Sequence, residues 1–74
     1  MRNHPKQLLP LIYALESYED VVNHLRTVCE GLMKDVDNGN DLTLVESDRE
    51  HLKQARNWQQ TAAKYLREFE GSIE

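Results

Sequence analysis

Residues 8–36 read LLPLIYALESYEDVVNHLRTVCEGLMKDV, and the spacing of their apolar positions decides the fold. Leu8, Leu11, Leu15, Tyr18, Val22, Leu25, Cys29, Leu32 and Val36 follow one another at alternating steps of three and four residues. That is a heptad seam held for about four repeats, the period at which an α-helix turns one face to a neighbour. Pro10 fits the first helical turn, where its missing N–H has no intrahelical partner. The helix is therefore expected to begin near residues 8–10, after an irregular lead-in through Pro5. Ile12, Ala14, Val21, Val28 and Met33 flank the seam and make the stripe wider than one neighbouring helix covers.

The pattern stops at Asp37-Asn38-Gly39-Asn40-Asp41, a cluster of turn-forming residues in which Gly39 suits the position just past a helix end. Thr43 with Glu46 and Ser47 with Glu50 both match the capping box, so two starts are open for a second helix. Leu52, Ala55, Gln59, Ala62, Leu66, Phe69 and Ile73 then carry a second seam, with Trp58 and Tyr65 on its flank and Gly71 as the expected end. The reading is one all-α domain spanning residues 1–74: a helix at about 8–36, an acidic turn at about 37–42 and a helix at about 43–70. The short link makes the helices antiparallel, each about 40 Å long, in a coiled-coil-like hairpin. Such a hairpin has no enclosed interior, so completion as a helical bundle, by self-association or by a partner, is expected.

Composition narrows the function. The chain has 74 residues, 39% of them hydrophobic, with 13 acidic and 9 basic side chains and a formal net charge of −4. That acidity argues against unspecific nucleic-acid binding, where phosphate neutralisation supplies the affinity. The longest apolar run is broken by Pro10 and is too short to span a bilayer. Arg2 and Lys6 precede it as in a signal peptide, but Glu16 to Asp20 offer no small-residue cleavage site. With one cysteine no internal disulfide forms, which suits a reducing compartment. A soluble protein without membrane contact, located in the cytoplasm, is the expectation.

Four patterns were weighed for chemistry. The stretch from Asp35 to Glu46 resembles the twelve-residue calcium loop of the EF-hand family, with acidic oxygens at its first, third and seventh places and Glu46 at the twelfth. Gly39 stands where a ligand belongs and Asn40 where the sharp turn wants glycine, so an acidic solvated turn is expected and no metal is assigned, with a calcium-binding helix-loop-helix as the third reading of function. On the second helix Arg49, Lys53, Arg56, Lys64 and Arg67 form a basic stripe, the candidate surface if the chain were a homodimeric four-helix RNA-binding regulator. His4, His24 and His51 have no second ligand at helical spacing and read as surface residues. Cys29 occupies the seam and behaves there as a small apolar group. A thin hairpin offers no pocket for a nucleophile and its base, so no catalytic residue and no cofactor is expected.

The aromatic and flanking apolar residues point to an interface. Whatever apolar width exceeds the hairpin seam must meet another chain, and Ile12, Val21, Val28, Trp58 and Tyr65 are the candidates for that partner surface. Leu25-Arg26, Leu32, Asp41, Val45, Leu52 and Ala55, within a two-helix layout spanning nearly the whole chain, resemble the small helical-hairpin co-chaperones of bacterial type III secretion needles. That resemblance implies a cytoplasmic protein that joins a second chaperone to keep a needle subunit from polymerising, with no cofactor and no catalytic residue. The sequence thus points to a non-enzymatic protein–protein interaction module, acting as chaperone, adaptor or inhibitor through helix–helix packing or as a homo-oligomer.

Overall fold

The computed structural model describes residues 6–73, so the lead-in through Pro5, and His4, lie outside it. A single 3₁₀ turn, Lys6–Leu8, runs into helix α1, Leu9–Asp37; after a connection at 38–45, helix α2 spans Glu46–Ile73. Tyr13 meets Tyr65 near one end of the pair, with ring centroids 5.3 Å apart, and His24 meets His51 nearer the other. Low numbers facing high ones make the helices antiparallel. The chain is an all-α helical hairpin, and no strand occurs among the described residues. Its extents of 52 × 26 × 16 Å leave it little thicker than one helix with its side chains, about 10–12 Å.

Local chemistry explains both helix ends at the turn. Gly39 takes φ +73°, donates to the Val36 carbonyl at 3.0 Å, and is followed by Asn40 donating to the Asp35 carbonyl at 2.8 Å. These two bonds are a Schellman motif, which satisfies carbonyls left without partners at the helix end. The start of α2 lies at Glu46, later than 43, because neither expected hydroxyl cap closes it. Asp48 does so instead: its carboxylate accepts the Val45 N–H at 3.2 Å, while Arg49 N–H donates to the Val45 carbonyl at 3.1 Å. At the other end α2 continues through Gly71 to Ile73. Gly71 weakens a helix without ending it, since termination needs the left-handed backbone that only Gly39 adopts among the described glycines.

The structure corrects the seam. Fully buried positions are Ala14, Ser17 and Val28 on α1 and Ala55 and Ala62 on α2; Ala14 is 1% exposed and Ala62 not at all. On α1 these belong to a second heptad series, Pro10, Ala14, Ser17, Val21, His24, Val28 and Asp35, about a hundred degrees around the helix from the Leu–Val seam. The stripe from Leu8 to Val36 is therefore not what closes the hairpin. Small side chains are. Where Ala faces Ala the two backbones approach closely, and Ser17 joins them by donating its hydroxyl to the Tyr13 carbonyl at 2.8 Å. On α2, Gln59 is exposed, and Trp58 and Tyr65 take half-buried places beside Ala55 and Ala62.

Three substitutions test this packing and backbone geometry. Replacing Ala62 by Leu forces the helices apart and lowers the unfolding free energy by about 1–3 kcal/mol in a urea titration followed by circular dichroism. Gly39→Ala, at its positive φ, costs about 1–2 kcal/mol. Gly31→Ala, in mid-helix with nothing within 4 Å of the added carbon, gains about 0.5–1 kcal/mol. An unchanged midpoint for Gly39→Ala would contradict the turn geometry.

Candidate functional site

Closing the hairpin on small residues leaves the large ones outside. Leu11, Leu15, Tyr18, Val22, Leu25 and Val36 are all exposed, Leu15 by 60% and Val22 by 50%, and Cys29 lies among them as a free, exposed thiol. They form one continuous stripe of about 38 Å along α1. Toward the turn the stripe becomes a concave groove of about 310 Å³, lined by Leu25, Val28, Cys29, Leu32, Met33, Val36, Leu42 and Leu52. Leu42, Leu44 and Val45, in the connection, are exposed as well. A run of apolar surface this long is the mark of a contact face on a small protein.

The residues expected at the partner surface are distributed differently. Val28 is 5% exposed and faces α2, with its remaining surface lining the groove; Val21 shares the α2-facing side of the helix and is half-buried. Trp58 and Tyr65 lie on the opposite side of the hairpin from the groove, around a small polar cleft of about 170 Å³ with Tyr13, Glu16, Ser17, Asp20 and Thr61. Ile12, half-buried, borders the open stripe. The exposed apolar surface is thus carried by the heptad seam itself, displaced from the flanking residues by the choice of which seam closes the fold.

No protein-family model, curated protein or solved structure matches this chain.

Arg49, Lys53, Arg56, Lys64 and Arg67 are all exposed, on the face of α2 turned away from α1. Asp35 and Asp37 belong to α1 and Glu46 to α2, and the Gly39 turn between them is backbone-capped. Among the described residues no group of three or more His, Cys, Asp or Glu side chains converges as a metal site would require. No helix of the described residues is long and apolar enough to cross a membrane.

One arrangement was not read from the sequence. His24 and His51, both half-buried, face each other across the hairpin with their Nδ1 atoms 2.9 Å apart and their ring planes 44° from parallel. One ring must donate and the other accept, so the bond exists only while at least one imidazole is neutral. His51→Ala, which leaves the His24 ring without this partner, is accordingly expected to lower the unfolding free energy by about 1 kcal/mol. An unchanged midpoint in urea unfolding would remove this assignment.

Proposed function

We propose that this chain is a non-catalytic helix-docking module, which works by packing an amphipathic helix of a second chain against the open seam of α1. The single observation that supports the reading is the exposed heptad stripe from Leu11 to Val36, with Leu52 and Leu42 walling its groove. A heptad is the period at which a second helix packs with side chains in register. A chaperone or adaptor that shields a helical client, or an inhibitor that occupies a helix-binding site, works through such a face. The resemblance to the cytoplasmic co-chaperones of type III secretion needles belongs to the same class of action and is one specific form of the proposal.

The basic stripe favours the rival, RNA binding, only through its exposure. The five cations lie on a chain with four more negative than positive charges overall, and the apolar stripe is elsewhere on the molecule. The docking reading predicts that Val22→Glu keeps the helical circular dichroism spectrum and loses at least tenfold in affinity for any protein captured by the wild-type chain, since a charge buried in an apolar seam costs several kcal/mol. Arg49→Ala, Lys53→Ala and Arg56→Ala together should leave that capture intact. If the triple variant loses the partner and Val22→Glu keeps it, the docking face has been misassigned and the basic stripe takes its place.

A further inference from the structure

Resting on the docking reading, we propose that the occupant of the α1 seam is a second copy of the same chain, with the two α1 helices packed antiparallel about a two-fold axis between Val22 and Leu25. The charges bordering the stripe support this choice. Glu19 and Arg26, both exposed, lie one heptad apart on the edge of the seam that faces away from α2. In an antiparallel pair edges of the same kind meet, so Glu19 of each copy faces Arg26 of the other, twice by symmetry. On the same edge Ile12 meets Met33. Sliding one copy by a heptad either way brings Arg26 onto Arg26 or Glu19 onto Glu19, and like charges across an interface disfavour those registers. A parallel pair sets Glu19 against Ala14 and Arg26 against Val21, with no opposite charge in reach.

Side-chain volumes agree with the same register. The layers are Val22 with Leu25, Leu15 with Leu32, Leu11 with Val36, and Tyr18, the largest seam residue, with Cys29, the smallest. A parallel pair would instead crowd Tyr18 against Tyr18 and leave Cys29 against Cys29. The antiparallel arrangement also carries the exposed Leu42 of one copy toward the exposed Leu11 at the start of α1 in the other. The product is a four-helix assembly with both basic stripes on its outer faces.

The test is sedimentation equilibrium of the full chain. Wild type is expected at twice the 8.7 kDa chain mass. Glu19→Arg and Arg26→Glu should each weaken the dimer by about tenfold, because each variant alone opposes like charges at two contacts. An equimolar mixture of the two variants should regain wild-type affinity, since every contact is then between opposite charges. In cross-linking under mild oxidation, wild-type Cys29 should give no disulfide dimer. A Val22→Cys chain mixed with a Leu25→Cys chain, both carrying Cys29→Ser, should cross-link. A wild-type mass of one chain at about millimolar concentration overturns self-pairing, yet leaves the docking reading to its own Val22→Glu test. A dimer indifferent to both charge variants, or one joined readily through Cys29, overturns the antiparallel register.

Discussion

The approach of two alanines, Ala55 and Ala62, to Ala14 and its neighbours on α1 is the contact on which the rest of this molecule depends. Because these side chains are small, the helix backbones come close, and no large side chain becomes fully buried between them. Burial of apolar area stabilises at about 25 cal/mol per Å², so a seam of methyl groups contributes far less than a seam of leucines would. The leucines are present, but on another face. Closure of the hairpin and the exposed apolar stripe are thereby carried by different heptad series of the same helix.

This division explains how much of the fold was legible. Two helices, their antiparallel sense and the turn at Gly39 follow from periodicity and from the residue types that end a helix. Which seam closes the hairpin does not follow from hydrophobicity. Leu11, Leu15, Val22 and Leu25 outrank Ala14, Ser17 and Val28 on any apolar scale, yet the latter set faces α2. The available signal was on the other helix. Ala55 and Ala62, one heptad apart on a helix otherwise rich in long side chains, mark a place where a backbone is to be approached, and only small residues can answer them.

Register was the second quantity that the residues did not determine alone. A turn at 37–42 places the pairing within about one helical turn, and side chains a full turn apart on a helix lie on the same face. His24 and His51 therefore read as surface residues, with nothing in the spacing to set one opposite the other. The actual register, marked by Tyr13 with Tyr65 and His24 with His51, sets the two imidazoles in contact. The same ambiguity hid the start of α2, where Asp48, acting on the Val45 N–H, takes the role for which Thr43 and Ser47 were the apparent candidates.

The connection between the helices has a different kind of consequence. Each end of it is finished locally: the Gly39 bonds close α1, and Asp48 opens α2 by accepting the Val45 N–H. The stretch between these ends therefore acts as a tether, and the register of the arms is set by the small-residue seam. The entropy lost in joining two chain ends rises only with the logarithm of the intervening length, about 0.6 kcal/mol for each doubling. This tip of the molecule is consequently where the chain tolerates added residues, an epitope or a whole inserted domain, with the arms and their outward stripe left in place.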